Sequence, residues 1–571
     1  MIIRDIDKIN TNGKKARDAV ADVEKFVANP DLSNGRVLVL YGLRRTGKTT
    51  IMEQVLENHR DNRKCAFYEV EDSDTLDDVK KAIIDEKNKG VTLICFDEIT
   101  KANDFITNSA ALPDVFAKEG ITIVLTGTDS LGFQFAEDNE LYDRVVRINT
   151  THVPFAEHCR VLDTNDIDDY IEYGGLMKKG LEKNDRIVHD YYSACRYLDS
   201  AVAENIARSV KRNPEDNCLE DLPKKELKTI IEKLVESYSG KIDRKLLQNK
   251  LKSASISYVE KKYTDILDGN IIDRLVMEKS NIVRDFLEKV NADESIKTPI
   301  TKEMIDTLER YLINMNVLST TPQTNYHQDD NVWTEGKTSH EYYLIQPAIK
   351  YYHLQEAKKF IESEEYYKEL SISEKQYLES KLDEKIKGDM TEQIILYDVF
   401  KSLDKKQYLV TKPAFFVDGQ RKGEYDMLIY DKQKNVHWGF EIKHTNNPFY
   451  KQEQHLQNND FTEIMNKKYG HRENVCVLYR GTPFHATSGT YYLNISDFLQ
   501  EIYKTHDVEK VMLNLTKNLP VKKLATEVSR DVSEKKSSFE DAAHYGKVMA
   551  EAKRSSQQKN TNKKEKSDIM H

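Results

Sequence analysis

The apolar run Arg36-Val-Leu-Val-Leu-Tyr41 passes directly into Gly42-Leu-Arg-Arg-Thr-Gly47-Lys48-Thr49, and no other stretch limits the possible folds as strongly. The octapeptide satisfies GxxxxGK[ST] at every fixed position. Its glycines allow tight turns that aim successive amide N–H groups inward, and the helix predicted from Thr49 to His59 adds the positive end of its dipole. A hollow of that kind holds a phosphate chain. Lys48 would reach the β- and γ-phosphates and the Thr49 hydroxyl would ligate Mg²⁺. Gly42, Arg45, Thr46, Gly47 and Thr50 complete the candidate nucleotide site.

Three further apolar runs follow: Cys65–Val70, Val91–Phe96 and Ile121–Thr126. Near-continuous apolar strands separated by helical stretches predict an α/β fold with a parallel sheet covered on both faces. The third strand of the series ends in Asp97-Glu98, at the sheet edge where parallel α/β proteins bind ligands. Asp97 would hold the hydration shell of the metal, and Glu98 would polarise an attacking water. The next strand ends in Gly127-Thr128, where the hydroxyl is either a γ-phosphate sensor or a turn residue.

A chain of 571 residues suggests about three or four domains. The first spans 1–160. Residues 161–370 read as mainly helical, 385–510 return to strands, and 525–571 are charged and poor in large apolar residues, a composition expected to stay disordered. That tail carries more Lys and Arg than Asp and Glu, so it would touch phosphates or simply stay solvated. No run approaches the ~20 apolar residues of a membrane span, and the opening MIIRDIDKIN lacks a secretory pattern. Six cysteines without CxxC pairs point to a reducing, cytoplasmic setting. A net charge of −10 implies no general attraction to nucleic acid.

The 385–510 stretch holds a second constellation. Asp426 and Glu441 are equidistant from a turn centred between Gln433 and Lys434, so a hairpin there would make them cross-strand neighbours about 5 Å apart. Two carboxylates so close require a cation or a proton between them, and Mg²⁺ suits hard oxygen ligands. Lys443 falls on the same strand face as Glu441 and would orient or deprotonate a hydrolytic water. Glu392 is either a third metal carboxylate or part of an Asp389–Glu392 capping box. The alternative for Asp426, Glu441 and Lys443 is a salt-bridged cluster without catalysis.

With GLRRTGKTT, LICFDEIT, VLTGTDS, YDRVVRI, VPFAEH and YGGLM together, the chain resembles the AAA-type ATPases of bacteria and archaea. These carry a winged-helix segment and a C-terminal restriction-endonuclease-like domain. The resemblance implies ATP and Mg²⁺ as cofactors. It also implies that Asp426, Glu441 and Lys443 match that superfamily's D-x(n)-(D/E)-x-K pattern, with a weak Gln-xxx-aromatic echo at Gln457 and Phe461. Arg144 occupies the place of an arginine finger toward a neighbouring subunit of a homo-oligomer, although Asp143 replaces the usual Gly; a surface or capping role is the alternative. Residues 244–267 read as helix-turn-helix, followed by a wing formed from Val317–Thr320 and Tyr342–Ile345. Acidic residues around Lys261 and Lys262 favour structural packing over DNA reading there. Two functions follow: an ATPase controlling a nuclease that acts on DNA, or a nucleotide-gated scaffold that binds DNA or protein without cutting.

Overall fold

A computed structural model describes residues 1–178, 186–211, 218–235, 295–329, 332–336, 338–363 and 372–524. The proposed helix-turn-helix at 244–267 and the tail from 525 lie outside the described residues.

The N-terminal part is built on a six-stranded sheet in the order β1-β3-β4-β5-β2-β6. Its strands are β1 (Ile2–Ile3), β2 (Val37–Tyr41), β3 (Cys65–Glu69), β4 (Leu93–Asp97), β5 (Thr122–Gly127) and β6 (Val145–Asn149). All neighbours are parallel except the short β1, which runs antiparallel to β3. Successive side chains of a strand point to opposite faces, and the cores follow that alternation. Val37, Val39, Ile94 and Phe96 pack with Val79 and Ile83 of the helix Leu76–Asn88. Leu38, Leu40, Leu93 and Cys95 pack with Ile51, Met52 and Val55 of the helix Lys48–His59. Because both faces are covered, the strands read as unbroken apolar runs.

Among the described residues, the C-terminal part holds an eleven-stranded sheet that includes β8 (Val332–Glu335), β11 (Gln420–Glu424), β15 (Phe484–Ala486), β16 (Tyr491–Asn494) and β17 (Val521–Lys522). Its path is β17-β15-β16-β14-β13-β12-β10-β7-β8, with β11 added on β10 and β9 on β7. The strands bearing on function are β7 (Leu318–Asp329), β9 (Ser339–Leu344), β10 (Tyr408–Val417), β12 (Met427–Asp431), β13 (Val436–Lys443) and β14 (His471–Tyr479). β12 and β13 form an antiparallel hairpin that pairs Met427 with Phe440 and Asp431 with Val436. The long helix Ile372–Ser402 covers one face, setting Met390, Ile394 and Val399 with Met427, Trp438 and Phe440 in one core. Tyr425, Leu428, Phe461 and Val477 fill the other face.

Two expectations change here. Ser319 and Thr320 do pair with Tyr343 and Tyr342, but β7 is 12 residues long and continues past this hairpin to lie parallel to β10. Lys412 to Val417 of β10 pair with Gln323 to Gln328, so β7, which lies within 161–370, is part of the C-terminal sheet. Asp389 starts no helix, because Ile372–Ser402 runs through it without interruption. The capping-box reading of Glu392 therefore fails.

The two halves share a core. Phe155, Cys159, Tyr170 and Ile171 pack with Ile386, Met390 and Ile394 of the long helix. Among the described residues no helix is long and apolar enough to cross a membrane.

Candidate functional site

The loop Gly42–Gly47 joins β2 to the helix Lys48–His59 at the C-terminal edge of the first sheet. Three of its residues sit at positive φ: Gly42 at 145°, Arg45 at 66° and Gly47 at 92°. A Cβ on Gly42 would lie 2.7 Å from Thr150 Oγ1 and 2.9 Å from the Thr151 amide, so only glycine fits there. The Thr46 hydroxyl donates to the Leu43 carbonyl at 2.9 Å and meets Thr150 Oγ1 at 2.7 Å. Thr151 Oγ1 accepts from the Leu43 amide at 3.1 Å. Thr50 is partly exposed on the first turn of the helix.

Lys48 folds back onto this loop, its ammonium donating to the Gly42 carbonyl at 2.7 Å and the Leu43 carbonyl at 2.9 Å. Burial lowers its pKa to about 8 against the opposing pull of Glu98 and Asp97. A triphosphate would supply the negative charge that this ammonium lacks. The Thr49 hydroxyl donates to Asp97 Oδ2 at 2.8 Å, and the Thr126 hydroxyl donates to Asp97 Oδ1. Glu98 adopts a left-handed conformation at φ 56°, and its Oε2 accepts from the Thr128 hydroxyl at 3.1 Å. The loop, Lys48, Thr49, Asp97, Glu98 and Thr128 thus converge on one edge of the sheet. Asp97 fits a cation role: its two oxygens face hydroxyls, one of them the Thr49 side chain that would share the ion.

Arg144 stands elsewhere. Its carbonyl accepts from the Val37 amide at the start of β2, the sheet edge opposite the loop. Its guanidinium pairs with Asp114 at 3.0 Å and donates to the Glu140 carbonyl at 3.2 Å.

The motif reading missed several supporting groups. Arg17 Nη1 donates to the Thr46 carbonyl at 2.6 Å. Tyr197 donates to the Arg44 carbonyl at 2.7 Å, and the Met177 amide to the Arg45 carbonyl at 2.9 Å. Asn205 donates to the Thr128 carbonyl at 3.0 Å. Met177 and Glu157, the carboxylate partner of Arg17, fall within recognised motifs, whereas Arg17, Tyr197 and Asn205 carry no local signal because the loop groups they hold are backbone carbonyls distant in sequence.

Residues 34–159 match the family model described as AAA domain. This part of the chain is an AAA-family domain. Among solved structures, that titled "Structure of C. elegans PCH-2" matches at 14% identity and a TM-score of 0.20, covering 36% of this chain. The match spans 61% of the PCH-2 chain, less than two thirds of its length. The curated proteins give no match.

Outside the AAA domain, the β12–β13 hairpin brings the second constellation together. Lys443 Nζ donates to Asp426 Oδ2 at 2.8 Å and to Glu441 Oε2 at 2.6 Å, and the Ile442 amide donates to Asp426 Oδ2 at 2.7 Å. His455 Nδ1 lies 3.4 Å from Glu441 Oε1. Beside them Lys412 pairs with Glu392 and stands 3.4 Å from Glu424. Burial alone would raise the Asp426 carboxyl, but the Lys443 and Lys412 ammonium groups hold it down to about 2. Burial and the Asp426 charge raise Glu441, and Lys443 opposes them. Burial also lifts Glu392 to about 7, with Lys412 opposing. Lys443 is raised despite burial by its two carboxylates.

Among the described residues no group of three or more His, Cys, Asp or Glu side chains converges to hold a metal ion. The ammonium of Lys443 occupies the point between the two carboxylates. Mg²⁺ commonly takes only one or two protein carboxylates and completes its shell with water and substrate phosphate, so Asp426 and Glu441 fit it if Lys443 swings aside. Gln457 donates to Thr490 at 2.7 Å, and Phe461 stacks on Phe415 at 3.9 Å between centroids; both are packing contacts.

Proposed function

We propose that this chain is a Mg²⁺-dependent ATPase whose AAA domain governs a second, nuclease-like site at Asp426, Glu441 and Lys443 that cleaves DNA. The observation carrying the first half is the Thr49–Asp97 hydrogen bond beside the buried Lys48. A hydroxyl and a carboxylate that share a proton at 2.8 Å are spaced to share a cation and its waters. Thr49 and Asp97 would hold Mg²⁺ there, and the ion would supply charge neutralisation for the β- and γ-phosphates. Lys48 leaves the Gly42 and Leu43 carbonyls for those phosphates. Glu98 accepts a proton from water at the γ-phosphate, and Thr128 sets where that carboxylate points.

The second half rests on the cross-strand placement of Asp426 and Glu441 with Lys443 between them. The two carboxylates would bind a cation, and Lys443 would steer a water toward a phosphodiester. The competing reading is a scaffold that binds DNA or protein without cutting. It is favoured by the ion pairs through which Lys443 already neutralises both acids.

Purified full-length protein should hydrolyse ATP with Mg²⁺. Lys48→Ala should lose nucleotide binding, and Glu98→Gln should bind but not turn over. Plasmid nicking that disappears in Asp426→Ala supports cleavage. Intact ATP turnover without nicking in any nucleotide state would establish the scaffold instead.

A further inference from the structure

The phosphate loop has a support outside its own motif. We propose that Arg17 is a positioning residue for nucleotide binding, which turns the Thr46–Gly47 peptide so that the Gly47 amide faces the phosphates. The proposal rests on the ATPase reading above and adds to it a residue from upstream of the AAA match.

Arg17 is only 7% exposed, and its guanidinium is engaged on every side. It grips Glu157 through Nε at 3.0 Å and Nη2 at 2.8 Å. Glu157 is itself 2% exposed, so each charge compensates the other in an environment that would exclude either one alone. The remaining donors go to three backbone carbonyls: Thr46 at 2.6 Å, Thr150 at 3.0 Å and His152 at 3.2 Å. Two of these belong to the turn after β6, and the third belongs to the loop.

The Thr46 contact decides the geometry. In a planar trans peptide the C=O and the following N–H point in opposite directions. A guanidinium that draws the Thr46 carbonyl to the back of the loop therefore sends the Gly47 N–H to the front, at the N-terminus of the helix Lys48–His59. Gly47 accommodates this at φ 92°, and a Cβ there would approach Arg17 Cδ to 3.3 Å, so the arginine fills the space directly behind the peptide. The fork of Glu157, Thr150 and His152 fixes Arg17, and Arg17 in turn fixes the amide.

A lysine in its place would keep the charge near Glu157 but would be a point donor, unable to hold the carboxylate and three carbonyls together. The full-length protein is compared with Arg17→Lys in two measurements: KM and kcat for ATP, and the Tm rise produced by tripolyphosphate, which probes the loop without a nucleoside. Arg17→Lys should raise KM at least tenfold, change kcat less, and lose most of the tripolyphosphate-induced Tm rise. If it fails to fold, the double variant Arg17→Met/Glu157→Met removes both buried charges together and should show the same loss of phosphate response. A KM within twofold of wild type and a full tripolyphosphate response, in either variant, would overturn the proposal. Absence of ATP binding in the wild type would instead overturn the ATPase reading.

Discussion

Asp168 lies 2.7 Å from Nε2 of His444, the residue that follows Lys443. Its other oxygen meets Arg480 Nη1 at 2.9 Å. Asp168 belongs to the helix Ile167–Tyr173, and beyond that helix the Met177 amide donates to the Arg45 carbonyl. One short segment therefore touches the phosphate loop at one end and the neighbour of Lys443 at the other.

Asp168→Asn should lower stability by about 1.5–3 kcal/mol at neutral pH, the scale of a charge-assisted hydrogen bond. Burial would raise the Asp168 carboxyl, but the bond to His444 and the nearby Lys387 and Arg480 bring it below its ordinary value of 3.8. A depressed carboxylate stabilises the fold above its unfolded pKa, and that contribution disappears as pH falls through the folded one. Urea unfolding at pH 7 and below pH 3 should show the gap between wild type and variant closing in acid. A gap independent of pH would count against the charge-assisted bond.

Lys443→Ala should leave Asp426 and Glu441 facing each other without the ammonium that stands between them. Lys443 is partly exposed while both carboxylates are buried, so the loss should fall below the cost of breaking a fully buried pair, about 3–5 kcal/mol. Millimolar Mg²⁺ or Mn²⁺ should restore much of the lost Tm in the variant, whereas K⁺ at equal ionic strength should not. No recovery with either divalent ion would mean that the two carboxylates do not form a metal site.

Much of this was legible from residue spacing. The P-loop strand, its helix and the Asp97-Glu98 strand end follow from local patterns, because buried parallel strands must be apolar throughout. The β12–β13 register follows from placing Asp426 and Glu441 symmetrically about a turn. What spacing concealed were contacts set by tertiary packing: Arg17 behind the loop, Asn205 on the Thr128 carbonyl, and the union of β7 with β10. Asp389-Met-Thr-Glu392 looks like a helix start because the capping signal is local, while the packing of Ile386, Met390 and Ile394 continues the helix through it.

Two glycines separate steric exclusion from backbone strain. Gly42→Ala would push its Cβ into Thr150, Thr151 and the Thr151 backbone, and the loop would have to move. Gly13 also has positive φ, at 79°, but a Cβ there meets nothing within 4 Å. Gly13→Ala should cost about 1 kcal/mol in backbone strain and leave the ATP-induced Tm rise intact. Gly42→Ala should abolish that rise. Equal responses of the two variants to ATP would show that the Thr150–Thr151 contact does not shape the loop.

The buried pair between the two halves sets a pH dependence of its own. Asp398, on the long helix, accepts from the Phe155 amide at 2.8 Å and stands 3.0 Å from His152 Nε2. Burial raises Asp398 to about 7, against the Phe155 hydrogen bond. Burial, then Lys401 and Arg17, lowers His152 to about 3. Between pH 3.8 and 7 the native Asp398 holds a proton that the unfolded chain has released, so this group makes stability fall as pH rises. Between pH 3 and 6.5 the native His152 lacks a proton that the unfolded chain has gained, so this group makes stability fall as pH drops. In the wild type the two slopes largely cancel over their shared window. Asp398→Asn can still accept from Phe155, but it removes the first slope. Its stability should therefore fall more steeply than wild type on acidification from pH 7 to 4.5, by an added amount on the order of 2–4 kcal/mol. Urea midpoints across that range measure it directly. Parallel profiles for the two proteins would mean that Asp398 is ionised in the native state, with its charge balanced by a protonated His152.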